Sequence, residues 1–343
     1  MGSVFISFVV PCYNIEKYVQ RCLDSLARQS LSSDYEIEFI LVNDGSTDGT
    51  LRVLEEIAAS DNRAIVVNQV NQGVSAARNN GLKAAHGEYV FFLDADDFLT
   101  DDASQIIYDL SSAQKPEIVI CNAYIVKEEN LEHKKEWNVC SGITDDVFEK
   151  YDFIKNVKQL PISFKAYRRE FLIKNNILYD EELKVGEVYT FFLHALAYAE
   201  KVAFSQKRIM NYLIRGGSVM RQFNLERDAL ILRTIDIIDD YRKLFDGDIR
   251  NYVSYNAAFF SIVNKFSIKK YVKATPYTPQ IGRLLKAIKN RPPFKDVLHF
   301  LVYKNRKANR NFFISSLFLF FPVRASYAIM RIGMKFRLFN CTK

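Results

Sequence analysis

Short apolar runs alternate with segments of helical spacing over the first 125 residues of the chain. The apolar runs are rich in Val, Ile and Phe, which is typical of strands buried inside a parallel sheet. Five strands are predicted: Val4–Val10, Ile37–Val42, Ala64–Val67, Tyr89–Leu93 and Ile118–Val126. Four helices are predicted between them: Ile15–Ser30, Thr47–Ser60, Val74–Ala85 and Ala103–Ala113. Because crossovers between parallel strands are right-handed, this order predicts an α/β fold with an open, mostly parallel, Rossmann-like sheet.

Polar residues gather directly after four of the predicted strands. The clusters are Pro11–Asn14, Asn43–Gly49, Asn68–Asn71 and Asp94–Asp97. In open α/β sheets, ligands bind outside the carboxyl ends of the strands. The pattern therefore predicts a single site at that edge.

The loops lack the common nucleotide-binding fingerprints. No G-x-G-x-x-G follows the first strand, and Gly45–Gly49 lacks the Lys of a P-loop, which disfavours a dehydrogenase and an NTPase. Asp94 and Asp96 stand at i and i+2 after an apolar strand. Such a pair suits Mg²⁺ or Mn²⁺, which takes one or two carboxylates plus substrate phosphates. Taken alone, the same pair fits a solvated turn.

Five linked motifs, in this order, resemble those of family 2 glycosyltransferases of the GT-A fold. They are Phe8–Asn14, Cys22–Leu26, Ile40–Gly49, Asn71–Asn79 and Phe92–Asp97. The resemblance implies a GT-A domain that transfers a sugar from a nucleotide-sugar donor. It also implies a divalent cation, Mn²⁺ or Mg²⁺, at the diphosphate.

The resemblance implies a nucleotide-base pocket at the first two loops. It places Pro11, Tyr13 and Asn14 around the base and makes Asp44 the acceptor of a ring N–H, which suits a UDP-type donor. The alternative for Asp44 is a turn or helix cap ahead of Thr47.

The resemblance also implies a diphosphate region. Asp94 would face the ribose and Asp96 the metal ion, with Arg78 near the base or phosphate and Arg215 over the diphosphate. The alternatives are a surface salt bridge for Arg78 and a flexible turn around Arg215. Asp97 supports the site or begins the next turn.

The catalytic base is a point at which this chain departs from the family pattern; a second is Ser218, which stands three residues after Arg215 where relatives have four. Relatives carry Gly-Glu-Asp where this chain has Gly186-Glu187-Val188. An inverting enzyme needs one general base, and Glu187 is the predicted one. Its alternative is a charge favoured by a helix N-terminus. His194 is a reserve candidate, although a lone histidine in an apolar helix is usually a packed residue.

Positive charge is concentrated at the C-terminus. From Lys265 to Lys343 there are 18 Lys or Arg and one acid, Asp296, so this part carries about +17 and the preceding part about −10. The apolar run Asn311–Phe321 is too short to span a bilayer. The mixture predicts a segment lying on an anionic membrane surface; a helix packed on the protein core is the alternative, and nucleic acid is disfavoured.

These features predict a GT-A domain over residues 1–221 and a helical, basic, membrane-associating region over 222–343. Five cysteines without C-x-x-C spacing favour a reducing compartment, and the apolar N-terminus is predicted as a strand, not a signal peptide. A cytoplasmic protein peripheral to the inner face of the membrane is expected. Helical stripes within 225–271 are typical of core or homo-oligomer faces.

The predicted function is inverting transfer from a UDP-type donor to a glycan, carried on a lipid, in capsule, exopolysaccharide or O-antigen synthesis. Two alternatives are kept. One is a polyprenyl-phosphate glycosyltransferase, whose ionised acceptor needs no base. The other is a nucleotide-sugar-binding assembly subunit without catalysis.

Overall fold

The computed structural model describes residues 3–215, apart from 33, 141–142, 158–159 and 162–163, together with residues 230–250 apart from 248, and residues 253, 283, 286 and 287. The chain forms two compact units. The first comprises Met1–Glu182 and His194–Ser218, and the second Leu183–Leu193 and Val219–Lys343. The predicted domain boundary after Arg221 lies outside the described residues and stays a prediction.

Strands and helices alternate through the first unit. The strands are β1 Val4–Cys12, β2 Glu36–Asp44, β3 Ala64–Gln69, β4 Tyr89–Phe92, β5 Phe98–Leu99, β6 Ile118–Lys127, β7 Asn130–Trp137, β8 Asp146–Glu149, β9 Lys165–Arg168 and β10 Lys201–Ile214. The helices of the described residues are α1 Glu16–Ala27, α2 Thr50–Ser60, α3 Val74–Ala84, α4 Ala103–Ser111, α5 Lys150–Asn156, α6 Arg169–Lys174, α7 Glu187–Tyr198 and α8 Ile231–Arg242.

The ten strands form one sheet in the order β3-β2-β1-β4-β9-β6-β10-β5, with β7 beside β6 and β8 beside β10. Strands β3, β2, β1 and β4 are mutually parallel, and β6 pairs in parallel with β10. Strand β9 runs antiparallel between β4 and β6. The predicted α/β fold with a largely parallel sheet is confirmed, and the antiparallel insertion is an addition to it.

The core lies on the central strands. Every residue of β2 after Glu36 is buried, as expected for a strand covered on both faces. In α1, the residues at helical spacing face this core: Val19, Cys22, Leu23 and Leu26 are at most 1% exposed. The stripe read from the sequence is therefore the buried face of the helix.

Strand β10 joins two segments that the sequence pattern separates, Val202–Phe204 and Arg208–Tyr212. Its pairing with β6 shifts register between Ser205 and Met210, where the two segments meet. A bulge of this kind bends a strand without ending it. The bend carries the end of β10 to the edge where the polar loops lie.

In the second unit, Ile235 and Ile238 of α8 are buried, as the predicted apolar stripe requires. The predicted stripe also includes Leu232, which is half-buried, and Leu225 and Ala229, which lie outside the described residues. The basic segment with its apolar run lies outside them too, apart from Arg283, Lys286 and Ala287. Within the part of the chain that is described, no helix combines the length and apolarity needed to span a bilayer. The four described cysteines are free and buried: Cys12, Cys22, Cys121 and Cys140.

Candidate functional site

The carboxyl ends of the parallel strands gather the predicted site residues of the first unit. Strand β1 ends at Cys12, β2 at Asp44, β4 at Phe92 and β10 at Ile214. The residues brought to this edge are Pro11, Tyr13, Asn14, Asp44, Arg78, Asp94, Asp96 and Arg215. The structure thus brings these residues to the one edge of the sheet that the positions of the loops predict.

Asn14 joins the first two loops. It adopts the left-handed conformation with φ +46°, which Asn tolerates better than most residues. Its backbone N–H donates to Ser46 Oγ at 3.1 Å, and its Oδ1 accepts from the Thr47 N–H at 2.8 Å. The neighbouring Tyr13 is 51% exposed. The loops are therefore held together while one aromatic ring faces solvent.

Asp44 lies buried at the end of β2 and braces a third loop. Its Oδ1 accepts hydrogen bonds from the Gln69 side chain and the Gln72 N–H, both at 2.8 Å, and its Oδ2 accepts from the Gly73 N–H at 2.9 Å. The Gln72 and Gly73 N–H groups directly precede α3, whereas Gln69 is the last residue of β3. The carboxylate thus makes a helix-terminal contact, at α3 and not ahead of Thr47. Since a carboxylate has about four acceptor positions, one on Oδ2 remains for a ring N–H.

Gly45 sets how closely the second and third loops approach each other. Its φ is +68°, and an added Cβ would lie 2.6 Å from the backbone N of Asn71. We expect Gly45→Ala to lower stability by about 1–3 kcal/mol through strain and overlap. Thermal unfolding measures this. Gly247→Ala is the control, because Gly247 has φ +47° with open space around it. Equal losses for both variants would contradict the close approach.

Two carboxylates of the fourth loop each contact an arginine. Asp94 Oδ1 accepts from Arg78 Nη2 at 2.7 Å, and the Arg78 guanidinium lies over the Tyr179 ring at 5.0 Å. The Arg78 side chain is 5% exposed, so this pair is not the surface salt bridge considered as an alternative. Asp96 Oδ2 accepts from Arg215 Nε at 2.8 Å. Both predicted arginines thus reach the acids.

Tyr18 completes the Arg215 contact. The guanidinium of Arg215 lies 4.7 Å from the centre of the Tyr18 ring. The Tyr18 hydroxyl donates to Glu128 Oε1 at 3.1 Å, and Lys17 contacts the same oxygen at 2.7 Å. The sequence does not indicate this role for Tyr18, since a lone tyrosine in a helix does not reveal a partner almost 200 residues away.

The fourth loop concentrates negative charge in a partly buried place. Burial raises the pKa of Asp96, the nearby Asp94 raises it further, and Arg215 opposes the shift. Burial also raises the pKa of Asp97, with Asp94 and Asp96 adding to the effect. Asp97 Oδ1 accepts from the Leu213 N–H at 2.8 Å, so it supports the loop. Because these neighbouring carboxylates repel one another, the loop favours the binding of a cation.

The donor set fits a divalent ion held jointly with a substrate. Among the described residues there is no group of three or more His, Cys, Asp or Glu able to enclose a metal. Mg²⁺ and related hard ions need only one or two carboxylates when phosphate oxygens supply other positions. Asp96, with Asp94 beside it, provides that number. The loop thus suits an ion that binds together with a diphosphate.

Glu187 belongs to the second unit, in the first turn of α7. Gly186 precedes it with φ +85°, and the Gly186 carbonyl accepts from the N–H groups of Tyr189 and Thr190 at 3.0 Å. This is a favourable place for a carboxylate. His194 is half-buried, and burial lowers its pKa. The roles of Glu187 and His194 stay predictions.

Comparison with known proteins identifies the family. The family profile described as glycosyl transferase family 2 matches residues 7–176. A putative glycosyltransferase, EpsH of Bacillus subtilis, is 30% identical over 72% of this chain and 74% of its own length. The uncharacterized glycosyltransferase EpsJ of the same organism is 32% identical, over 60% of each chain. The chain therefore spans about three fifths of EpsJ. It belongs to glycosyl transferase family 2.

Solved structures share the fold. Staphylococcus aureus TarS 1-349 in complex with UDP has a TM-score of 0.71 at 20% identity, over 97% of this chain and 91% of that chain. TarS was also solved with UDP-GlcNAc. The mannosyltransferase PcManGT of Pyrobaculum calidifontis, in complex with GDP-Man and Mn²⁺, has a TM-score of 0.50 at 14% identity, over 96% of this chain and 87% of that chain. At these identities the likeness establishes the GT-A-like fold.

Proposed function

We propose that this glycosyltransferase is an inverting, metal-dependent enzyme that moves a sugar from a UDP-type donor to a lipid-linked glycan. The proposal rests mainly on one observation: Asp94 and Asp96 stand at the carboxyl edge of the sheet, each in contact with an arginine, at the same edge as Asn14 and Asp44. The UDP complexes of TarS support the choice of donor for a chain of this fold. Capsule, exopolysaccharide or O-antigen synthesis would use such an enzyme.

The chemistry follows from the charge of the leaving group. Breaking the bond between the sugar and the diphosphate builds negative charge on the β-phosphate. Asp96, aided by Asp94, would hold Mn²⁺ or Mg²⁺, which when bound acts as a Lewis acid toward that charge. The Arg215 Nε–H donates a hydrogen bond to Asp96 Oδ2. Its guanidinium is placed to donate to a diphosphate oxygen once Asp96 takes another partner. Arg78 holds Asp94 in position.

Glu187 would take the proton from the attacking acceptor hydroxyl. We expect Glu187→Gln to lower transfer by about 10²–10⁴-fold, because general-base catalysis contributes that much, while UDP affinity is retained. The assay is release of UDP from UDP-sugars with saccharides linked to polyprenyl diphosphate. The control is Glu182→Gln, which alters an exposed carboxylate five positions earlier in the sequence. This variant should transfer sugar at the wild-type rate.

A second candidate activity comes from Val188, which stands where the family resemblance implies an acid. A polyprenyl phosphate is already ionised and needs no general base. Full activity of Glu187→Gln, with a product labile to mild acid, would favour that acceptor. UDP binding without turnover on any acceptor would favour the assembly-subunit alternative.

The basic C-terminal part supports action at a membrane surface. Its charge of about +17, mixed with apolar runs, suits anionic lipid. Binding there would bring the catalytic domain to acceptors carried on lipid. We place the enzyme in the cytoplasm, peripheral to the inner face of the membrane.

A further inference from the structure

Three aromatic rings form a cluster in the first unit that the donor site does not use. The Trp137 ring lies 5.0 Å from Phe164 and 5.4 Å from Tyr212, edge to face in both cases, and the last two rings are 6.4 Å apart. Phe164 is buried and Trp137 half-buried, while Tyr212 is 37% exposed. Tyr212 is thus the exposed member of a cluster whose other two rings belong to the core or pack against it.

The strand register places these rings together. Trp137 of β7 pairs with Ala123 of β6, and Tyr212 of β10 pairs with Ile125 of β6. Ala123 and Ile125 are two residues apart and so share a face of the sheet. Trp137 and Tyr212 therefore flank β6 on that same face.

Two hydrogen bonds hold the residues that directly follow β7. The Val139 N–H donates to Asn122 Oδ1 at 2.9 Å, and Arg208 Nη2 donates to Asn138 Oδ1 at 2.8 Å. Phe164 adopts φ +68°, a conformation that costs a bulky residue free energy. Strain of this kind persists where surrounding structure requires it and is frequent at ligand sites. The Phe164 conformation is thus one that the surrounding structure maintains at a cost in free energy.

The cluster lies at the same edge as the acids, on the side away from the nucleotide pocket. The Leu213 N–H, next to Tyr212, donates to Asp97, and Arg215 contacts Asp96. In the sheet, β1 and β2 lie on one side of β4, and β9, β6 and β10 on the other. Phe98, which follows the acids directly, pairs with Asn211 of β10, so the cluster borders the loop that carries the acids.

We propose that Trp137, Phe164 and Tyr212 form an acceptor subsite in which a sugar ring of the glycan packs against the exposed Tyr212 ring, which Trp137 and Phe164 hold in position. This inference rests on the proposed function. A pyranose has apolar C–H faces and a polar rim, and aromatic side chains suit both in concave sites. Because the cluster borders the acids on the side of β6 and β10, away from β1 and β2, whose loops are predicted to hold the base, its occupant is the acceptor and not the nucleotide.

A second aromatic cluster offers a matched control. Phe5, Tyr35 and Tyr108 pack with ring distances of 4.9–5.8 Å, and Tyr35 is 39% exposed. Tyr35 precedes β2, so this cluster stands at the amino end of the parallel strands. It shares the packing but not the position of the proposed subsite.

Trp137 is the single tryptophan of the chain, so its fluorescence reports on the cluster. The full-length protein, saturated with UDP and Mn²⁺, is titrated with cellobiose, maltose, lactose and chitobiose. We expect a saturable change with at least one disaccharide. Its Kd should rise about tenfold or more in Tyr212→Ala, as for a buried aromatic anchor. Tyr212→Phe and Tyr35→Ala should bind as the wild type does.

Two results would overturn the subsite: no saturable change with any disaccharide, or equal affinities for Tyr212→Ala and Tyr35→Ala. Calorimetry with UDP separates this from the proposed function. If the wild type does not bind UDP, the proposed function is refuted. If it binds UDP but gives no saturable response to any disaccharide, only the subsite is refuted. If Tyr212→Ala does not fold, Tyr212→Leu removes the aromatic face at similar volume and takes its place.

Discussion

Asp96→Asn is expected to lower sugar transfer by about 10³-fold, which corresponds to about 4 kcal/mol of transition-state stabilisation. The substitution keeps the shape of the side chain but removes the charge that would hold the metal ion against the leaving diphosphate. It also replaces the ion pair with Arg215 by a contact between the arginine cation and a neutral amide. The measurement is UDP release from the donor at saturating Mn²⁺, with thermal unfolding to verify the fold.

Asp101→Asn is the matched control for this experiment. Asp101 follows the same loop and pairs with Arg28 at the surface, where its side chain is 75% exposed. We expect it to transfer sugar at the wild-type rate. Transfer by Asp96→Asn within about tenfold of the Asp101→Asn rate would show that the charge of Asp96 is not used in the reaction.

Arg78→Met is expected to weaken both the fold and donor binding. The guanidinium is almost fully buried and holds Asp94 in place, so its loss removes both the ion pair with Asp94 and the contact with the Tyr179 ring. Breaking a fully buried pair costs 3–5 kcal/mol. Because the Asp94 side chain is 51% exposed, we expect a smaller loss of about 2 kcal/mol in the free energy of unfolding. Urea denaturation measures that loss, and calorimetry should show weaker UDP binding.

Arg52→Met tests whether the burial of Arg78 is the reason for the expected losses of stability and UDP binding. Arg52 also contacts a carboxylate, Glu56 Oε1 at 2.6 Å, but both side chains are more than 60% exposed. Exposed helix pairs contribute little, so stability and UDP binding should stay unchanged. Similar behaviour of the Arg78 and Arg52 variants would contradict a structural role for the buried arginine.

Local patterns were sufficient to predict the βα units of the first 125 residues. Buried strands are continuous apolar runs, and Val19, Leu23 and Leu26 recur at helical spacing, so these elements can be read within a short window. The loops after the strands were then placed at one edge by topology alone. The pattern therefore predicted the fold class and the location of Asp94 and Asp96.

Contacts between distant parts of the chain could not be predicted in this way. Strand β9 is four residues long and contains Lys165 and Arg168, so nothing in its sequence indicates a place between β4 and β6. The contact of Arg215 with Asp96 joins residues 119 positions apart. Trp137 stood in a charged insert without a motif, and only the sheet register brings it to Tyr212.

The central claim is that a cation and a uridine diphosphate bind together at the edge that holds Asp44 and Asp96. Calorimetric titration of the full-length protein with UDP, in Mn²⁺ and in EDTA, tests it most directly. The account predicts binding at least about tenfold tighter with Mn²⁺, and a gain that disappears in Asp96→Asn. Equal UDP affinity in EDTA, or binding of GDP in preference to UDP, would contradict it.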